Sequence, residues 1–151
     1  MIQTIEILPQ TLTSTTDDIN FTTTDLRTNS ASCCGWLQYN EGSSNFTIIG
    51  DGRTPATFEI HFNANVTSET AGQVAIALKT NGSDVEGTEM NADIATAGNY
   101  TNISFTKLVR LCPRINQTFS VGSLAAVGGV TPAAETEIPI LKDINFYIKK
   151  I

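Results

Sequence analysis

Between residues 56 and 66 an apolar side chain occupies every second position: Ala56, Phe58, Ile60, Phe62, Ala64 and Val66. Thr57, Glu59, His61, Asn63 and Asn65 fill the positions between them. A period of two kept without error over eleven residues predicts a strand with one buried and one wet face. After a polar break at residues 68–72 the alternation resumes, with Val74, Ile76 and Leu78 set against Gln73, Ala75, Ala77 and Lys79. It stops at Asn81-Gly82, the strongest short-range turn signal. The pattern predicts that these two strands pair as a hairpin at the centre of an antiparallel sandwich.

The rest of the chain reads in the same way. Residues 2–8 form a first strand broken by Pro9, residues 10–18 a Thr/Ser-rich connector and residues 19–24 a second short strand. Residues 25–32 read as polar loop. Trp36, Leu37 and Tyr39 make the next apolar segment, residues 46–49 another, closed by the Gly50-Asp51-Gly52 turn. Residues 85–90 and 92–95 are weaker strands. Residues 100–111 are a strong one, with Ile103, Phe105, Val109 and Leu111 opposed to Asn102, Ser104, Thr106 and Arg110, ended by Pro113. Ile115, Phe119 and Val121 mark another strand before the small residues of 122–129. In residues 138–151, Ile144, Phe146 and Ile148 alternate with Asp143, Asn145, Tyr147 and Lys149. No window carries a 3.6-residue period with helix caps. The expected fold is an all-β antiparallel sandwich of about eight to ten strands, at the spacing of a jelly roll or barrel. Residues 1–18 read as an N-terminal strand and connector and residues 19–151 as the sandwich domain.

Composition narrows the function classes. A formal net charge of -6, with the nine basic residues scattered, argues against a nucleic-acid surface. No apolar run approaches the ~20 residues of a membrane span, so no membrane insertion is expected. The N-terminus shows neither a basic region nor an apolar signal core, so the chain is expected to be made in the cytoplasm without a signal peptide. Cys33, Cys34 and Cys112 are an odd set with a vicinal pair, which is no disulfide framework; with one histidine and no C-x-x-C they are no zinc site either. They read as buried free thiols, with a disulfide from Cys112 to one of the pair as the alternative.

Candidate chemistry is sparse, and no catalytic residue, metal ligand or cofactor is assigned; the chain is read as not an enzyme. His61 lies on the wet face between Glu59 and Asn63 and reads as a satisfied or solvent-facing side chain. Asp17-Asp18 reads as loop charge. Asn81, Ser83, Asp84, Glu86 and Glu89 are rich in oxygen but lack the spacing of a calcium loop. No phosphate loop or nucleophile elbow is present. Seven N-x-S/T triplets begin at Asn20, Asn45, Asn65, Asn81, Asn99, Asn102 and Asn116. Twelve asparagines and 32 Ser plus Thr would give about 2.5 by chance. Wet strand faces built of Asn and Thr generate such triplets unaided. Ala75, Ala77, Ala125, Ala126, Gly128 and Gly129 are small and neutral at positions that should be wet, so either another subunit or the chain's own loops pack there.

The order of these segments resembles the trimeric jelly-roll domains of the C1q/TNF-like superfamily, particularly those of bacteriophage virion proteins and of collagen-like spore-surface proteins. Gly50-Asp51-Gly52 leading into the 56–66 alternation is similar to the family's turn and following strand. Residues 74–82 are similar to its next strand and Asn-Gly turn, and residues 144–148 to its final core strand. Trp36–Tyr39 and Phe46–Ile49 fall where the family has early strands. The resemblance covers roughly residues 19–151 and implies a homotrimer. The absence of a Gly-X-Y repeat and of a secretion signal favours the phage branch. The expected function is a virion structural protein, a capsid decoration or head fibre or a tail or baseplate knob, with capsid or tail proteins as partners. Residues 1–18 would be its attachment segment, and loops rich in Asn, Thr and Ser would contact host-surface glycans. The alternatives are a stand-alone carbohydrate-binding module or lectin, with Trp36, Tyr39 or Tyr100 as the stacking ring, and a spore-surface C1q-like domain.

Overall fold

A computed structural model describes residues 1–13, 17–27, 36–50, 52–112, 114–124 and 137–151. These form twelve strands and no helix. They are β1 (Ile2–Glu6), β2 (Gln10–Thr11), β3 (Thr23–Arg27), β4 (Leu37–Gln38), β5 (Phe46–Ile48) and β6 (Ala56–Thr67), then β7 (Gly72–Thr80), β8 (Ser83–Asp84), β9 (Met90–Ile94), β10 (Thr101–Leu111), β11 (Gln117–Ser123) and β12 (Ile140–Lys150). Three of them, β2, β4 and β8, are two-residue pairings, which is why the number exceeds the eight to ten expected. One sheet runs β10-β6-β12-β1-β3, with β2 also on β12; the other runs β4-β5-β11-β7-β8, with β9 also on β7. Every pairing is antiparallel. The chain is an all-β sandwich of two antiparallel sheets with jelly-roll architecture.

The alternation of residues 56–66 is realised without a break. Phe58, Ile60, Phe62, Ala64 and Val66 are buried, and Thr57, Glu59, His61, Asn63 and Asn65 are half-exposed on the other face. Burying each large side chain contributes about 1.5–3 kcal/mol relative to leaving it in water. From the facing sheet Val74, Ile76, Leu78, Phe119 and Val121 close the same core. Phe46 lies at an aromatic node, 4.2 Å from the stacked ring of Tyr39, 4.7 Å from Phe146 and 5.5 Å from Phe21.

One expectation is overturned. β6 and β7 do not pair as a hairpin: β6 sits between β10 and β12 in the first sheet, and β7 between β11 and β8 in the second. Residues 68–71 carry the chain from one sheet to the other. Alternation says which residues face the core but not which strand lies alongside, and two strands facing one core from opposite sides read the same as two neighbours. The Asn81-Gly82 signal, by contrast, makes the turn it predicts. Both residues have positive φ, +49° and +82°, and they join β7 to β8 with Thr80 opposite Ser83.

β12 carries a bulge that the sequence pattern hides. Its register against β6 shifts between Lys142 and Asn145, and Asp143 takes a left-handed φ of +52°. The core residues on either side, Leu141 and Ile144, are three apart, which a regular strand would place on opposite faces. One extra residue restores the inward phase, and Asp tolerates the conformation better than most residues.

The connector before β3 belongs to the sandwich. Ile19 and Phe21 are fully buried although neither lies in a strand. Asp18 bridges to Gly122 of β11, and Ile19 N–H donates to the Val121 carbonyl (2.8 Å). The Asp18 carboxylate pairs with the buried ammonium of Lys79 at 2.8 Å. A side chain at Gly122 would come within 2.3 Å of the Asp17 carbonyl, so glycine is required by close approach of backbone. Ala75 and Ala77 are buried, the second opposite Gly122. The chain's own segments, not an open wet face, therefore surround these two small residues. Ala125, Ala126, Gly128 and Gly129 lie outside the described residues.

Glu6 is a buried acid at the end of β1. Its Oε1 accepts from Leu8 N–H (3.0 Å), and its Oε2 from the N–H (3.2 Å) and hydroxyl of Thr22. Burial pushes its pKa up, but the bonds from Thr22, Leu8 and Ile7 outweigh this and hold it below the ordinary 4.5. The stability this group contributes is therefore complete above that value and lost as pH falls through the lower folded-state pKa. Glu6→Gln should cost about 1.5–3 kcal/mol at pH 7 in urea denaturation, and the variant should lose less stability than the natural chain on acidification. Equal acid sensitivity in both would contradict the assignment. Gly122→Ala should reduce stability by about 1–3 kcal/mol, read as a lower urea midpoint at unchanged slope, because the Asp17 backbone must move.

Candidate functional site

The outer face of the first sheet gathers the polar side chains that the sequence spreads over four strands. Register places Thr106, His61, Tyr147 and Gln3 in one row across β10, β6, β12 and β1. Leu108, Glu59 and Lys149 form the next row, and Asn102, Asn65 and Lys142 a row nearer the other end. Alternation alone would give only solvated residues here; the register shows that they form a connected surface.

Its two ends differ in chemistry. At one end His61 Nδ1 lies 2.8 Å from the Thr106 hydroxyl, and its ring stacks on Tyr147 with centroids 4.9 Å apart. The Tyr147 hydroxyl donates to Glu59 at 2.8 Å. That bond, then partial burial and the Glu59 charge, hold the phenol above its ordinary pKa of 10. Leu108 stands beside this group, 60% exposed on a face otherwise polar. At the other end the amides form a network: Asn63 and Asn102 bond each other reciprocally (3.1 and 3.4 Å), Asn102 also donates to Asn65 and to the Ala64 carbonyl (both 3.2 Å), and Asn65 donates to the Asp143 carboxylate (3.0 Å). Lys142 Nζ lies 3.9 Å from the centroid of the exposed Tyr100 ring.

The expected positions are distributed as follows. His61 is half-exposed and satisfied by Thr106, as its wet-face position implied. A hydroxyl–imidazole contact resembles the start of a nucleophile–base pair, but it lies on an open sheet face, not in a substrate pocket. Asp17 and Asp18 do structural work: Asp17 Oδ2 accepts from Thr13 N–H and hydroxyl, both at 2.6 Å, and Asp18 pairs with Lys79. Asn81 of the oxygen-rich series accepts from Thr118 N–H (3.2 Å), and the Glu86 carbonyl accepts from Lys107 (2.8 Å). Among the described residues no group of three or more His, Cys, Asp or Glu is placed to hold a metal ion. Cys112 is exposed rather than buried, because it follows Leu111, where the core face of β10 ends. Cys33, Cys34 and Asp51 lie outside the described residues. Cys112 borders a cleft of about 20 Å³ with Trp36, Phe58 and Lys150, room for about one water molecule.

Of the three candidate stacking rings, two belong to the core. Trp36 packs on Phe58 with centroids 5.3 Å apart, Tyr39 stacks on Phe46, and both are buried. Only Tyr100 faces solvent. The sequence pattern passes over Asp143, Lys142 and Leu108 as site residues. For Leu108 a signal exists, an apolar residue at a wet position of β10. For Asp143 and Lys142 none does, because the bulge that places them appears only in the register.

The fold defines a class: a C1q-like jelly-roll sandwich. Among solved structures, the globular domain of zebrafish complement 1qA protein superposes with a TM-score of 0.56 at 14% identity, covering 96% of this chain and 93% of that one. At this identity the likeness concerns fold alone. No family model matches the chain, and no curated protein matches it.

Proposed function

We propose that the chain is a non-catalytic, self-associating jelly-roll module, a homotrimer carried on a bacteriophage virion as a capsid decoration, head fibre, or tail or baseplate knob that adheres to the host surface. The observation that carries self-association is Leu108, 60% exposed beside His61 and Tyr147 on the outer face of the first sheet. The open face of the first sheet supplies the surface. Exposed Leu108 with the half-buried His61 and Tyr147 rings gives the end at the Thr106–His61–Tyr147 row the apolar and aromatic character of a subunit interface, whereas Ala75 and Ala77 of the other sheet are already covered. The jelly-roll reading is supported by the sequence resemblance in residues 50–82 and 144–148; a gene neighbourhood of capsid and tail genes checks the phage setting. Attachment to the particle falls to residues 1–18, where Ile7 and Leu8 stand 67% and 71% exposed.

The first test is native mass by sedimentation at micromolar concentration. The expected value is near three times the 16.2 kDa chain, with more than ~1,000 Å² buried at each subunit contact. Leu108→Glu should shift the protein towards monomer while leaving its far-ultraviolet β signature intact. A monomeric natural chain would overturn the reading, and a Leu108→Glu trimer would move the interface elsewhere.

A further inference from the structure

On the outer side of the second sheet a lysine is enclosed between two acids. Lys79 points away from the core, in phase with Ala75 and Ala77, yet only 3% of its side chain is exposed. The Asp18 carboxylate meets its ammonium, with Oδ1 2.8 Å from Nζ. That same oxygen is seated against the β11 backbone, where a side chain at Gly122 would strike it. Across the ladders Lys79 stands opposite buried Ser120 of β11 and opposite Asp84 of β8. Opposed residues of an antiparallel pair project from one face with Cβ atoms about 4.5–5.5 Å apart. Asp84 therefore lies on the Lys79 side of the sheet, and both its carboxylate oxygens are buried.

A structural role alone does not call for this group. Lysine is seldom buried so fully, and apolar residues of similar size commonly serve stability as well as a buried ion pair does. The arrangement does match the needs of one reaction. An amine and a carboxyl group held in contact and shielded from water react as though at very high concentration, and a second acid beside them moves the protons. The group lies on the opposite sheet from the face assigned to subunit contact and draws on none of its residues.

We infer that Lys79 and Asp18 condense into an intramolecular isopeptide bond, with Asp84 as the proton carrier. The Lys79 ammonium first passes a proton to Asp18, leaving a neutral amine against a neutral carboxylic acid. The amine lone pair attacks Asp18 Cγ, forming the C–N bond, and the surplus proton on nitrogen passes to the Asp84 carboxylate. Asp84 returns that proton to the departing hydroxyl, the C–O bond breaks, and one water molecule leaves. No oxidant or co-reactant is consumed. The product ties the connector to β7 across 61 positions of the chain. A closed loop of that kind restricts the unfolded chain as a disulfide does. It also ends the segment given to particle attachment on a covalent bond to the sandwich; that consequence rests on the attachment reading, whereas the bond does not.

The test is the intact mass of the full chain, unfolded and reduced, followed by a tryptic map. The natural chain should be lighter than its sequence mass by one water molecule. Trypsin should fail to cut after Lys79, so that residues 54–107 appear joined to residues 1–27. Asp18→Ala and Lys79→Met should each show the full mass and a lower melting temperature. Asp84→Asn, which keeps both reacting groups, should also show the full mass. A natural chain at full mass overturns the bond whether or not the variants fold. So does loss of one water without the joined peptides, which marks a succinimide instead. Cross-linked Asp84→Asn protein overturns the role given to Asp84.

Discussion

β6 is bonded along nearly its whole length on both sides, to β10 from Ala56 to Val66 and to β12 from Phe58 to Thr67, while its alternate side chains fill the core. The rest of the sandwich depends on this double constraint. A one-residue slip against either neighbour would turn Phe58, Ile60 and Phe62 outwards and bury Glu59, His61 and Asn63, replacing favourable apolar burial with unpaired polar groups. Register is therefore fixed on the core side. The outer face inherits that register, and its Thr106–His61–Tyr147 row exists because the core side permits no other alignment.

The same constraint accounts for the bulge at Asp143. β12 must present Leu141, Ile144, Phe146 and Ile148 to the core while staying on the β6 ladder, and these residues are not in phase. An added residue in the left-handed region reconciles the two demands. The local cost is borne by an acidic residue whose carboxylate Asn65 fixes. A packing requirement thus produces an irregular feature of the open face, beside the exposed Tyr100 ring and the Lys142 cation.

Buried polar groups show how the connector is held without a strand of its own. Glu6 collects bonds from Leu8 and Thr22, and Asp18 reaches Lys79. Removing water from these groups is costly, and each is compensated by a partner from the crossing segment. The connector from residue 17 to 22 is thereby tied at both ends, to the first sheet through Glu6 and to the second through Lys79, which leaves Ile19 and Phe21 free to join the core.

The sequence by itself determined the class of fold, most strand positions, the inward face of each long strand and the Asn81-Gly82 turn. These follow from a period-two pattern and from local φ preferences, which are properties of neighbouring residues. It also implied that His61 is a wet-face residue. Only the tertiary structure decided that β6 and β7 lie in opposite sheets, that Ala77 packs beneath the chain's own connector, that Trp36 and Tyr39 are core, and that Asn65, Asn102 and Asp143 meet. Each of these is a question of which strand lies beside which and in what register, settled by packing between residues far apart in the chain. Alternation assigns a side chain to a face; it carries no information about its neighbour across the ladder.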